Sequence, residues 1–208
     1  MEYNNIIHKL LNDNNNIKVV SLLLKHEDGM SGRSLAQLAG VSTFKMHQVL
    51  KLLTTQGILR QTAMGKAYIY RVNREHTLVN DLLSPIIDYQ RNLYENLGNE
   101  VAACLDFKPL SIILYGSVAR GDEEADSDLD LFLVYKNEDK PEPISQEALL
   151  FDTITRRYGN QVTMSRSYLC DFLKRYKERD PLVSNIIKEG KVIHGMSLMD
   201  LLSYKSEL

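Results

Sequence analysis

Apolar positions recur at helical spacing through the first part of the chain. Ile17 to Lys25 places Val19, Val20, Leu22, Leu23 and Leu24 on one face. Ser34 to Ala39 predicts a short helix, followed by a turn at Gly40 and a capping Ser42. From Thr43 to Gln56, Met46, Val49, Leu50 and Leu53 form a buried stripe, and Gly57 ends the helix. The period then changes from helical to alternating. Ile58-Leu59-Arg60 and Tyr68-Ile69-Tyr70-Arg71-Val72 read as two strands with Gly65 in the turn between them. Helix, glycine turn, second helix and hairpin form one supersecondary pattern ending near Asn73.

From Glu75 to Leu105 the pattern is helical again, with Leu82, Ile86, Tyr89, Leu93, Leu97, Val101 and Cys104 every three or four residues. Ser84-Pro85 suits a cap and a first helical position, which predicts one helix ending near Leu83 and another starting there. Ile112-Ile113-Leu114 and Leu131-Phe132-Leu133-Val134 are apolar runs of strand length. A helix over Ile144 to Tyr158 ends at Gly159, and Gln161 to Ser165 reads as a further strand. Ser165 is placed as the cap of a helix containing Tyr168, Leu169, Phe172 and Leu173. Asp180-Pro181 opens a helix that ends at Gly190, Val192 to His194 is a short strand, and Ser197 starts a last helix. The expected architecture is α+β in two domains: residues 1–73, a helical linker over 74–105, and residues 106–208 with a small mixed sheet flanked by helices.

Charge separates the two halves. Residues 1–80 hold ten Lys/Arg and five Asp/Glu, whereas the chain as a whole carries a net charge of −2. A basic half beside an acidic one points to nucleic acid as the partner of the first. Residues from about Ile17 to Asn73 resemble the winged helix-turn-helix domains of bacterial transcription regulators. The second helix would present its first turns to the major groove. Thr43, Lys45, His47, Gln48 and Lys51 avoid its buried stripe. Gln48 can read an adenine edge, and Lys45 a guanine edge or a phosphate. Arg60, Lys66 and Arg71 on the hairpin would bind phosphates. A winged helix serving protein contact is the alternative, and a homodimer through residues 75–105 is a further expectation.

The densest chemistry lies at Leu114-Tyr115-Gly116-Ser117-Val118-Ala119-Arg120-Gly121, followed by Ser127-Asp128-Leu129-Asp130-Leu131. Gly116 lets the backbone turn tightly and approach a ligand closely. Ser117 and the amides after it can donate to phosphate oxygens. Asp128 and Asp130 are two apart, so on a strand both point to one face. Such a pair suits Mg²⁺, which takes one or two protein carboxylates together with substrate phosphates. A calcium loop does not fit: starting from Asp126, the positions requiring Gly and Glu hold Leu131 and Asn137. Starting from Asp122, they hold Ser127 and Leu133.

These residues resemble the signature of the DNA polymerase beta-type nucleotidyltransferase superfamily, especially its minimal branch: a Gly-Ser turn, an Arg-Gly pair, then Ser-Asp-x-Asp. The resemblance covers about the second half of the chain. It implies an NTP as substrate, ATP foremost, with Gly116, Ser117, Arg120 and Ser127 at the nucleotide and Asp128 and Asp130 as catalytic metal ligands. Arg120 has a second reading, as partner of the acidic loop beside it. Some small members of the family also have a toxin–antitoxin partner. Active members usually carry a third acidic residue on a neighbouring strand, but on the Gln161 strand the residues facing the same way are Gln161 and Thr163. This leaves two readings. The first is a Mg²⁺-dependent enzyme that moves a nucleoside monophosphate to an acceptor hydroxyl. The second is a DNA-binding regulator that only senses nucleotide.

The remaining features bound the setting. Cys104 and Cys170 lie in apolar helical stripes and are expected as buried free thiols in a reducing compartment. No apolar run approaches the length needed to span a bilayer, and Met1 to Asn5 lacks the basic and apolar regions of a signal peptide. The expectation is a cytoplasmic protein.

Overall fold

A computed structural model describes residues 5–65, 67–105, 107–137 and 147–204, with the backbone alone over 147–150. Lys66 and the first residues of the expected Ile144 helix lie outside the described residues. The chain divides into two compact units, Met1–Arg91 and Asn92–Leu208.

The first unit opens with α1 (Ile6–Leu11) and α2 (Asn14–Lys25). Asp13 caps α2 by accepting from the Asn15 amide at 3.0 Å. After β1 (Met30–Ser31) comes α3 (Gly32–Ala39), capped by Ser31 Oγ accepting from Ser34 N–H at 3.1 Å. Gly40, at φ +69°, ends it in the left-handed conformation. Then α4 (Thr43–Thr55) starts at Ser42, whose Oγ accepts from Lys45 N–H at 3.2 Å. The expected stripe is buried: Met46, Val49, Leu50 and Leu53 pack with Val19, Leu23, Leu35 and Ile58. The hairpin consists of β2 (Leu59–Met64) and β3 (Ala67–Val72), closed by the pair Met64↔Ala67 with Gly65 in the turn. β1 adds on the other side of β3, giving the antiparallel order β1-β3-β2. Three helices packed on such a sheet, with the hairpin as wing, make a winged helix.

A π-helical turn over Val79–Leu83 runs into α5 (Ser84–Cys104). The expected break at Ser84 is absent, because Ser84 is itself helical at φ −63°, ψ −48°. The proline ring at 85 would crowd the carbonyl four residues earlier, and the wider π turn makes room for it there. The wide turn also shifts the buried stripe. Val79, Leu83 and Ile87 are buried, while Ile86 and Tyr89, expected inside, are exposed.

The second unit is built on the sheet β6-β5-β4-β7. Its strands are β4 (Ser111–Tyr115), β5 (Leu129–Tyr135), β6 (Val162–Tyr168) and β7 (Lys191–Gly195). β5 pairs antiparallel with β4 and parallel with β6, so the sheet is mixed. Alternate residues of β5 enter different cores. Leu131 and Leu133 pack with Leu97 and Val101 of α5 and with Ile154 of α7 (Glu147–Tyr158). Phe132 and Val134 pack with Phe172 of α8 (Leu169–Lys177), Val183 and Ile186 of α9 (Pro181–Glu189) and Leu201 of α10 (Leu198–Ser203). Burial on both faces explains why β5 reads as a continuous apolar run.

Two local expectations are corrected. Ser165 does not cap a helix: β6 continues through Tyr168, because its full length pairs with β5 up to Tyr135↔Tyr168. Cys104 and Cys170 are free but exposed, since Val101 and Ala102 in α5, and Leu169 and Phe172 in α8, take the inward positions instead. No helix among the described residues is long and apolar enough to cross a membrane.

Candidate functional site

The carboxylate site forms where β4 turns into the short helix α6 (Gly116–Arg120). Val118 and Ala119 are buried and anchor α6 to the sheet. The amides of Gly121 and Asp122 donate to the Ser117 carbonyl at 2.9 and 3.2 Å, closing the turn. Across the ladder, Tyr115 pairs with Asp130. This register sets the Asp130 carboxylate directly against Gly116. A Cβ on residue 116 would lie 2.3 Å from Asp130 Oδ2, and its φ of +76° independently favours glycine. Glycine is therefore favoured here twice over, by the backbone conformation and by the carboxylate oxygen that occupies the place of a Cβ.

Asp128 stands just ahead of β5, close enough for its charge to act on Asp130. Burial first, and then the Asp128 carboxylate, push the Asp130 carboxyl above its ordinary value, with Arg120 opposing them. Asp130 is half-buried and Asp128 exposed beside it, and two neighbouring carboxylates favour a cation between them. Their hard oxygens fit Mg²⁺ better than a softer metal.

The loop before Asp128 is fixed from several sides. Ser127 Oγ accepts from the Glu124 amide at 2.9 Å. Asn160 Nδ2 donates to the carbonyls of Ser127 at 2.9 Å and Ala125 at 3.3 Å, and the Leu129 amide donates to the Gln161 carbonyl at 2.7 Å. Asn160 is a positioning residue that sequence reading missed, because nothing local signals a contact 33 residues away. Arg120 is exposed and pairs with Asp122 at 3.1 Å and Glu189 at 3.3 Å. Both bonds raise its already high pKa. The pairing with the acidic loop is the second of the two roles that its sequence position allowed, and Glu189 adds to it.

The parallel register sets Gln161 level with Asp128 and pairs Asp130 with Thr163. These are the neighbouring-strand positions available for a third acid, and neither residue is acidic. Among the described residues no group of three His, Cys, Asp or Glu is arranged to hold a metal.

A consequence follows for stability in metal-free buffer. The raised Asp130 pKa means that the folded state holds this proton at a pH where the unfolded chain has released it. Stability from this group is thus lost as pH rises from the ordinary value of 3.8 through the folded value. Asp130→Asn removes that penalty. The variant should melt at a higher temperature than the parent at pH 7.5, and the difference should shrink as the pH approaches 3.8. Equal melting temperatures at pH 7.5 would contradict the assigned electrostatics.

In the winged helix, Thr43, His47, Gln48 and Lys51 are exposed on α4, as the sequence indicated. Lys45 behaves differently. Its Nζ lies 2.6 Å from Asp13 Oδ2, and this bond leads the effects that hold the Asp13 carboxyl below its ordinary value. Arg60 pairs with Glu75, and Arg74 with Glu27. Arg60 and Arg71 sit directly opposite each other in the hairpin, so they share a face of it. Arg71 is exposed.

Residues 100–197 match the family model described as polymerase beta, nucleotidyltransferase. The second unit carries a nucleotidyltransferase domain. Gly116 to Asp130, the whole turn-and-carboxylate site, lies within the matched part of that domain. No curated protein matches the chain. Among solved structures, a predicted DNA-binding transcriptional regulator from E. coli is 18% identical, with a TM-score of 0.35 over 42% of this chain and 85% of that one. The winged helix-turn-helix domain of Mb0332 from Mycobacterium bovis, a possible ArsR-family regulator, is 17% identical, with a TM-score of 0.35 over 41% and 76%. A toxin–antitoxin structure with AMP-PNP is 19% identical, with a TM-score of 0.39 over 52% and 81%. Likenesses this distant add no weight. The winged helix rests on its own topology, and the nucleotidyltransferase domain on the family match and the geometry of its turn.

Proposed function

We propose that the chain is a Mg²⁺-dependent nucleotidyltransferase that moves a nucleoside monophosphate from an NTP, ATP foremost, to an acceptor hydroxyl, and that its winged helix binds DNA. The observation that carries this reading is the Asp130 carboxylate seated against Gly116 with Asp128 beside it. Asp128 and Asp130 would hold the metal, which when bound supplies charge neutralisation at the transferring phosphorus and the leaving pyrophosphate. The Gly116–Val118 backbone and the Ser117 hydroxyl would donate to the β- and γ-phosphates. Arg120 can join them, because its two ion pairs are solvent-exposed and cost little to exchange. The acceptor oxygen bonds to the α-phosphorus as the bond from that phosphorus to the bridging oxygen breaks, and pyrophosphate departs. The acceptor's proton goes to water or to a base that the acceptor brings, since Gln161 and Thr163 offer none. Ile86 and Tyr89, exposed on α5, are the surface through which a homodimer would form.

One observation favours a second reading. With Thr163 opposite Asp130, the domain could bind nucleotide without turnover, and the chain would then be a DNA-binding regulator that senses it. A single comparison separates the two: α-labelled NTPs, Mg²⁺ and cell lysate as acceptor source, with wild-type protein and with the Asp128→Asn/Asp130→Asn variant. Label transferred only by wild type supports the enzyme. Bound nucleotide without transfer, together with a gel-shift midpoint that moves with ATP, supports the sensor.

A further inference from the structure

The exposed face of α4 contains a residue whose chemistry differs from its neighbours. At 100° per residue, positions 43, 44, 47, 48 and 51 cover a continuous arc of about 140°. Phe44 lies within that arc and is 74% exposed, while Lys45, on the shoulder, is drawn away to Asp13. Polar Thr43, His47, Gln48 and Lys51 surround the phenyl ring. Beside this face is a cavity of about 480 Å³, where Thr43 and His47 meet Arg33 at the start of α3 and Tyr68 of the wing. Tyr68 is also exposed, at 53%. Arg33 and Lys51 are exposed and form no ion pair among the described residues. The surface is therefore an apolar centre with free cations at its margins.

That layout is complementary to duplex DNA. Phosphates answer the cations, and one base edge in the major groove carries an apolar group, the C5-methyl of thymine. A phenyl ring neither donates nor accepts a conventional hydrogen bond, so guanine, cytosine and adenine edges offer it nothing comparable. Gln48 is four residues on, about 5–6 Å away at the Cβ and on the same face. This separation corresponds to one or two base-pair steps. We propose that Phe44 is a base-reading residue of this winged helix, selecting thymine through its methyl group while Gln48 reads a nearby adenine. The proposal rests on the reading of the winged helix as a DNA-binding module.

The test selects binding sites for the full chain from a random duplex library, then replaces each thymine of the selected site by deoxyuridine, which lacks only the methyl. Wild type should lose about fourfold in affinity at one or two positions, the worth of burying one methyl group. Phe44→Ala should bind the parent site and its deoxyuridine version equally, and Phe44→Leu should retain part of the preference. Indifference of wild type to every replacement, or equal sensitivity of Phe44→Ala, overturns the proposal while leaving DNA binding intact. A selected site without thymine does the same. Wild type that binds no duplex at low salt removes the DNA-binding reading itself, which is a separate result. A changed sedimentation coefficient for Phe44→Ala assigns the ring to a protein interface instead, and again overturns the proposal.

Discussion

Replacing Asp128 and Asp130 together by asparagine should lower the proposed nucleotidyl transfer by roughly a thousandfold or more, the scale expected when preorganised charge stabilisation is removed. Asparagine keeps the shape of each side chain but gives up the charge that would hold a hard divalent cation. Among the described residues neither carboxylate forms a hydrogen bond or an ion pair within the fold. Asp130 is a destabilising carboxylate at neutral pH, because burial and Asp128 both act against its ionised form. The double variant should therefore be folded, no less heat-stable than its parent, and inactive. Activity and melting curves taken on the same preparation check this. A double variant that transfers label at the wild-type rate sinks the assignment of these two residues, and with it the proposed enzyme.

Gly116→Ala should act through position rather than charge. The added Cβ meets Asp130 Oδ2 at 2.3 Å, so either the carboxylate or the turn must move. The backbone at φ +76° adds about 1–2 kcal/mol of its own. A displacement of about 1 Å in a reacting constellation costs on the order of a hundredfold in rate. Gly40→Ala is the natural control, since Gly40 has φ +69° and nothing within 4 Å of its virtual Cβ. Both variants should lose comparable stability through the backbone, but only Gly116→Ala should lose transfer and Mg²⁺-dependent nucleotide binding. Transfer unchanged in Gly116→Ala would show that the Gly116–Asp130 contact is incidental to the chemistry.

Much of this site is legible in the sequence. Gly116, Asp128 and Asp130 belong to one continuous stretch whose spacing already implies a turn and a strand face. The winged helix was legible for a similar reason: its caps at Ser42 and Gly40 and its stripe at Met46, Val49, Leu50 and Leu53 are local signals. Long-range features were not legible. The Asn160 clamp, the Lys45–Asp13 bond and the Arg120–Glu189 pair join residues 32 to 69 positions apart, and no periodicity announces them. The phase of the stripe entering α5 was misread because a π turn advances the helix differently from the 3.6-residue repeat. The cysteines were misplaced because a helical stripe predicts a face, not which of two adjacent residues turns inward. Phe44 carries no local signal, because an apolar residue outside the stripe gains meaning only from its exposure.

If the winged helix binds DNA as proposed, its ion pairs set how that binding responds to salt. Residues 1–80 hold ten Lys/Arg, yet Lys45, Arg60 and Arg74 are paired with Asp13, Glu75 and Glu27, so a phosphate must compete for each of them. On α3, α4 and β3, Arg33, Lys51 and Arg71 are exposed and form no ion pair among the described residues, and they are the cations nearest the proposed reading face that can displace condensed counterions from a duplex. About three phosphates per protomer would then be engaged, giving a slope of log affinity against log salt of roughly −3. A slope twice as steep from a monomeric protein would mean that the intramolecular pairs open on DNA. The measured value thus counts how many of the acidic residues act as competitors for the same cations that the phosphates seek.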